Sequence, residues 1–328
     1  MSTAAHVLVH PSQFPDKVRR DLLDSLRARE VNHKFLYEGV GQTHKWLALH
    51  QACSPSRTDP DCAAIYERSF KAAAAHVATG NVHLVGLGCG GGQKDARLLA
   101  LLGQSGKRIS YTPADVSTAM VLVARQAALR VLTADRCFPL VLDLATADDV
   151  PGLLTEMTTP GQTRLVTFFG MVPNFEPDLI MPRLAALIRP GDFLLFSANL
   201  APGPDYDEGI QRILPLYDND LTREWLSGFL LGLGVQTQDG DIRFVIEAPP
   251  AAGGLKRVAA YYHFEAAREI HVDGETFSFQ AGDTIRLFYS YRHTPALATR
   301  LLQRHGLQVV DQWVTKSEEE GVFLASPL

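Results

Sequence analysis

Residues 82 to 99, VHLVGLGCGGGQKDARLL, pass from an apolar strand through a cluster of glycines into a helix. Gly88 and Gly90 to Gly92 remove side chains at that junction, so a ligand can approach the backbone and meet the exposed N–H groups of the helix start. Gly86, Gly88 and Gly91 also match G-x-G-x-x-G. The turn therefore suits a dinucleotide pyrophosphate or the amino-acid end of S-adenosylmethionine (SAM), and a tight turn without ligand is the plain alternative. Asp115 ends the next strand in YTPADVS, where a carboxylate can accept both hydroxyls of a ribose. Asp143 ends the one after, in LVLDLA, placed to meet an adenine amino group or merely to cap a helix. Asn174, in FFGMVPNFEP, stands where a substrate would approach, or satisfies its own turn.

Composition narrows the ligand. The 36 acids against 31 Lys and Arg give a net charge of −5 with no basic run to track a phosphate backbone, so nucleic acid is not an expected partner. Cys53, Cys62, Cys89 and Cys137 are scattered, which suggests neither a zinc site nor a disulfide framework. No metal is expected. The first residues lack the pattern of a signal peptide and no apolar run approaches the ~18 residues of a membrane span. A cytoplasmic monomer acting on a small molecule, without a membrane partner, is the expectation. The eleven His are dispersed and read mostly as ordinary surface or core residues.

The elements that must hold these residues follow from periodicity. Val18, Leu22 and Leu26 recur at helical spacing within PDKVRRDLLDSLRARE, and a second helix runs from Pro60 to a stop at Gly80. Strands VHLVGL, RISYTPADV, PLVLD, RLVTFFG and DFLLFSANL then alternate with helices, one of them capped by Ser117. That is a doubly wound α/β sheet, with ligands beyond the carboxyl ends of its strands. A helical stretch at about 207 to 234 and β-rich segments RFVIEA, KRVAAYYHFEA and DTIRLFYSY interrupt it. The closing strands around LQVVDQWV and GVFLASPL are joined too tightly to be parallel. An antiparallel final hairpin departs from the paired halves of a dinucleotide-binding fold.

In their order and spacing, KFLYEGVG, SPSRTD, GLGCGGGQKDARLL, YTPADVS, LVLDL, VTFFGMVPNFEP, LYDND and SYRHTP resemble the histidine-specific Nα-methyltransferases of the ergothioneine pathway, whose relatives act on tryptophan derivatives in fungal alkaloid pathways. The resemblance implies a class I SAM-dependent methyltransferase: a Rossmann-like core, here residues 60–201 and 290–328, plus an α+β substrate domain, here 1–59 and 202–289. It implies that Gly88, Gly90, Lys94, Asp115 and Asp143 hold S-adenosyl-L-methionine. Tyr37 would stand between cofactor and substrate, and Asn174 and Tyr217 would grip a substrate carboxylate. Tyr37 and Asn174 would be the catalytic pair, orienting an amine.

The departures from the family are specific. Gly86 replaces an acidic residue that opens the glycine motif, and Cys53 and Ser54 replace a tyrosine pair. Phe288 stands where the family's Glu reads the imidazole, although Ser290 keeps its companion serine. A phenyl ring leaves an imidazole N–H unpaired, a loss of ~1–3 kcal/mol. Ala260, in place of a large apolar residue, would enlarge the pocket; with Phe288 and the nearby Tyr261, Tyr262 and Tyr289 it points to a larger aromatic or apolar substrate, unless the tyrosines are ordinary cross-strand pairs. The expected activity is N-methylation of a small amino-acid-like, non-histidine amine. A nicotinamide-dependent oxidoreductase and an inactive SAM-binding protein are the alternatives.

Overall fold

The computed structural model describes residues 4–77, 80–159 and 161–328. A short strand β1 (Leu8–Val9) precedes helix α1 (Pro15–Ala28), α2 (Gly39–Cys53), a single turn α3 (Pro55–Thr58) and α4 (Pro60–His76). The alternation follows as β2 (Asn81–Leu87), α5 (Gln93–Gln104), β3 (Arg108–Asp115), α6 (Thr118–Ala128), β4 (Leu140–Val141), α7 (Val150–Met157), β5 (Thr163–Phe168), α8 (Pro177–Leu187) and β6 (Phe193–Asn199). The interruption comprises α9 (Tyr206–Tyr217), α10 (Asp220–Gly232), β7 (Gly240–Glu247), β8 (Lys256–Phe264), β9 (Arg268–Val272), β10 (Glu275–Phe279) and β11 (Thr284–Arg292). Then come α11 (Pro295–Arg304), β12 (Leu307–Val314) and β13 (Glu320–Pro327). Among the described residues no helix is long and apolar enough to cross a membrane.

Local chemistry sets several boundaries. Asp59 accepts the Asp61 N–H at 2.9 Å and Pro60 occupies the first turn of α4, which ends at His76; Ala78 and Thr79 of the expected longer helix lie outside the described residues. Ser117 caps α6 by accepting the Met120 N–H at 3.3 Å. The helical stretch expected at about 207–234 consists of two helices, because Asn219 accepts the Thr222 N–H at 3.0 Å and starts α10 afresh. The strand expected over PLVLD is only Leu140–Val141.

Eight strands form one sheet in the order β1-β4-β3-β2-β5-β6-β13-β12, parallel through β6 and antiparallel where β13 meets both β6 and β12. The antiparallel final hairpin is thus present, with β13 inside the sheet. Phe196 of β6 faces Phe323 of β13 with rings stacked 5.2 Å apart. Leu84, Leu165 and Leu195 bury one face against Leu98 and Leu99 of α5, and Val85, Val166 and Leu194 bury the other against Leu184 of α8. A smaller antiparallel sheet, β11-β8-β7, packs Ile285 and Ala260 against Leu226 and Leu230 of α10 and Leu36 of the N-terminal segment.

Two observations bear on the expected division of the chain. Leu8 and Val9, assigned with residues 1–59 to the substrate domain, pair in parallel with Leu140 and Val141 of the large sheet. Strand β11 runs unbroken across the boundary drawn at residue 290.

Candidate active site

A cavity of about 390 Å³ opens at the carboxyl ends of the parallel strands, roofed by α2 and by residues 33–37 and closed on the far side by α9, α10 and β11. Gly88, Gly90, Lys94, Asp115, Tyr37, Asn174, Tyr217, Phe288 and Ser290 all line it. Asp143 and Ala260 do not.

At one end lies the glycine turn. Gly88, Gly90 and Gly92 have φ of +54°, +50° and +69°, the left-handed region where only glycine is unstrained. A Cβ on Gly90 would also come within 2.9 Å of the Trp46 ring, so α2 is packed directly over the turn. Asp115 stitches this turn to the next helix: one oxygen accepts the Gly90 N–H at 3.1 Å, the other the Ser117 N–H at 3.0 Å. Burial nevertheless pushes its carboxyl up to about 6, with those N–H groups opposing the shift. Each oxygen keeps a free lone-pair site for a further donor. Lys94 donates to the Tyr66 hydroxyl at 2.8 Å, with its ammonium 4.0 Å from that ring's centre, and Tyr66 donates in turn to Glu320. Burial lowers the Lys94 pKa against the pull of Glu320.

The other end is aromatic. Trp46, Tyr37, Trp225, Phe288 and Tyr217 form a continuous wall with successive ring centres 6.0, 5.5, 5.6 and 6.2 Å apart. Asn174 donates to the Tyr37 hydroxyl at 3.3 Å, and burial raises the Tyr37 pKa, so the phenol stays protonated and serves as a donor. Arg292 lines the same end, donating to the Tyr217 hydroxyl at 2.6 Å and the Leu200 carbonyl at 3.2 Å, while its buried Nε has no partner among the described residues. Asn199 donates to Ser290 Oγ at 3.4 Å beside it.

Some expected residues sit elsewhere. Asp143 is fully buried away from the cavity: its Oδ1 accepts the Ala145 N–H at 2.9 Å and its Oδ2 lies 3.6 Å from the buried Lys34 ammonium. Leu142 and Leu144, on either side of Asp143, line the cavity instead. Ala260 is buried beneath the cavity as the cross-strand neighbour of Phe288, so its small side chain leaves room for that ring rather than for a ligand. Tyr261 donates to Glu247, Tyr262 to the Gln236 carbonyl, and Tyr289 packs edge-on to Tyr291. None of these three tyrosines lines the cavity, and none is the cross-strand partner of another: Tyr261 lies opposite Arg286, Tyr262 opposite Ile285 and Tyr289 opposite Ala259. Gly86 lies within β2 and not in the turn, which removes the first glycine from the G-x-G-x-x-G reading.

Other residues were not expected. His33 and His50 line the cavity, and burial lowers both imidazoles, His50 to about 3, so both are neutral. Trp46, Trp225, Arg292 and Asp95 also line it; SYRHTP and GGQKD already held the last two, beside residues that were singled out.

The model of the family described as "histidine-specific methyltransferase, SAM-dependent" matches residues 18–219 and 251–327. N-methyltransferase imqF of Aspergillus flavus is 26% identical over 73% of this chain and 65% of its own length. N-methyltransferase fsqC of Aspergillus fumigatus is 27% identical over 75% of this chain and 66% of its own. The matched chain thus spans just under two thirds of these curated relatives. Among solved structures, magnesium protoporphyrin IX methyltransferase from Synechocystis PCC 6803 with bound S-adenosylhomocysteine is 13% identical, covering 90% of this chain and 98% of its own, with a TM-score of 0.45. Since the family match takes in the glycine turn, all the parallel strands from β2 on and the closing hairpin, this chain belongs to the SAM-dependent, histidine-specific methyltransferase family.

Proposed function

We propose that the protein is an N-methyltransferase for the amine of a small carboxylate-bearing molecule whose body is aromatic or bulky and apolar, and not histidine. The observation that carries this reading is the far end of the cavity, lined by the Phe288 and Trp225 rings and by a buried Arg292 whose Nε lacks a partner among the described residues. A buried guanidinium with a spare donor favours an anion, and the rings favour an apolar body over an imidazole with its two polar nitrogens. The printed names of the two fungal relatives agree with nitrogen as acceptor.

The residues at the glycine turn fit SAM. Asp115 retains acceptor sites for two ribose hydroxyls, Leu142 and Leu144 offer an apolar slot for a purine, and the bare backbone at Gly88 and Gly90 admits the methionine end beside Lys94. When bound, SAM supplies an electrophilic methyl group on a sulfonium. The protein's own contribution is orientation and exclusion of water. Asn174 and the neutral Tyr37 hydroxyl present hydrogen-bonding groups to the amine or its neighbouring carboxylate from one side, and Arg292 with Tyr217 hold the carboxylate from the other. Burial keeps His33 and His50 neutral, and an imidazole pushed down to about 3, as His50 is, is too weak a base to take a proton from an ammonium, so the amine is bound as its free base.

The test is incubation of the purified protein with SAM and a panel of aromatic and aliphatic α-amino acids and their amides, read by mass spectrometry for a one-methyl increase and for S-adenosylhomocysteine. Methylated aromatic amino acids, with amides and histidine poor, are expected. Methylation of oxygen or sulfur, preference for histidine, or bound SAM with no acceptor in the panel or in a cell extract would overturn the reading.

A further inference from the structure

The position where the family's motif opens with an acid holds Gly86, and the structure explains what fills the space. A Cβ on Gly86 would lie 2.1 Å from Oδ2 of Asp95 and 2.9 Å from the Tyr111 hydroxyl. The Asp95 carboxylate, reaching back from the first turn of α5, is therefore seated over β2 where a residue-86 side chain would begin. It is held from both neighbouring strands: Tyr111 of β3 donates to Oδ2 at 2.7 Å and Thr167 of β5 to Oδ1 at 2.8 Å. The side chain is buried, yet Asp95 lines the cavity beside the glycine turn.

We propose that Asp95 takes over the anionic role that position 86 lacks and receives the α-ammonium group at the methionine end of SAM. This rests on the SAM reading of the cavity given above. Each carboxylate oxygen has accepted one hydrogen bond and can accept another, whereas Tyr111 and Thr167 have spent their hydroxyl protons on it. Burial raises the Asp95 pKa against those two donors and the adjacent Lys94, which is the condition of a carboxylate waiting for a cation. Lys94 and Asp95, successive residues of α5, would then divide the two charges of an amino-acid group between them. The geometry also makes residues 86 and 95 alternatives: a side chain at one occupies the space used by the other.

Calorimetry with three probes tests this without turnover: S-adenosylhomocysteine, its analogue lacking the α-amino group, and methylthioadenosine, which lacks the amino-acid end. The wild-type protein should prefer S-adenosylhomocysteine to the deaminated analogue by at least about tenfold, as expected for a charge-assisted hydrogen bond. Asp95→Asn should abolish that preference while leaving methylthioadenosine affinity within about twofold, since the amide oxygen can accept from Tyr111 and its NH2 can donate to Thr167, whose hydroxyl turns to the Val85 carbonyl at 3.4 Å, while the charge is lost. The double variant Gly86→Asp, Asp95→Ala should restore the preference. Retained preference in Asp95→Asn overturns the proposal and leaves the SAM reading intact. Failure of the wild type to bind any of the three overturns the SAM reading itself. Should Asp95→Asn not fold by circular dichroism, the double variant decides: preference kept supports the exchange of positions, preference lost refutes it.

Discussion

The two ends of the cavity are built by different means. The glycine turn, Asp115 and the Asp95 carboxylate sit at or over adjoining strand ends of one parallel sheet, and their placement follows from chain direction and strand order. The aromatic wall draws on α2, residues 33–37, α9, α10 and β11, which meet only when the whole chain has folded. A site anchored on the sheet is fixed by backbone geometry and tolerates little change. A site assembled from side chains of separate elements can change ligand by exchanging a few of them.

The largest expected break falls on the first end. Asp115→Ala removes the tie between Gly90 and Ser117 and, with it, the carboxylate proposed to meet the SAM ribose, so SAM affinity by calorimetry should fall at least about 100-fold. Arg292→Met tests the second end alone. It should raise the acceptor KM about 10- to 100-fold with SAM affinity unchanged, and a parallel loss of SAM binding would show that the two ends are not separable. A pH series sharpens the contrast, since the Asp115 carboxyl titrates near 6 in the ligand-free protein. Ribose hydroxyls need the ionised form, so SAM affinity at pH 5 should be about tenfold below that at pH 7. Because this folded-state pKa lies above the unfolded value of 3.8, its contribution to stability is fully present below that value and is lost as pH rises through 6, a change of at most about 3 kcal/mol. Thermal melts of the ligand-free protein against Asp115→Asn should show that slope only in the former. The smallest effect is expected at the junction of the two ends. Tyr37→Phe removes a hydroxyl whose one protein partner among those described is Asn174 at 3.3 Å, and should lower kcat/KM about 2- to 10-fold.

The same contrast governs what could be read from the sequence. Glycines after an apolar strand, Asp115 at the next strand end and Ser117 as a helix cap are local patterns with local causes, and the parallel order with its antiparallel ending followed from periodicity and linker length. At Asp143 the same pattern does not reveal that Lys34, over a hundred residues earlier, is buried beside it. Helix α2 went unrecognised because Gly39 and Gly41 open it and its apolar residues do not gather on one face. The register of β11 shifts between Arg286 and Phe288, and an irregularity of that kind changes which side chains reach the cavity. Alternation counted along DTIRLFYSY does not anticipate it. Arg292 belongs to SYRHTP, but only the position of Tyr217 shows what its guanidinium faces.

Strand β13, between β6 and β12, gives the sheet a vulnerable order of construction. On a ribosome the apolar edge of Phe193–Asn199 emerges early, and its partner follows only after the whole β-rich insertion has been made. Until then β6, paired with β5 on one side only, presents an open apolar edge of the kind that invites pairing with another molecule. The partner also delivers Glu320 to Tyr66 and, through it, to Lys94. Completion of the sheet and completion of the polar chain behind the glycine turn are therefore one event, so a translation product stopped before residue 320 would be both aggregation-prone and unable to finish its ligand site.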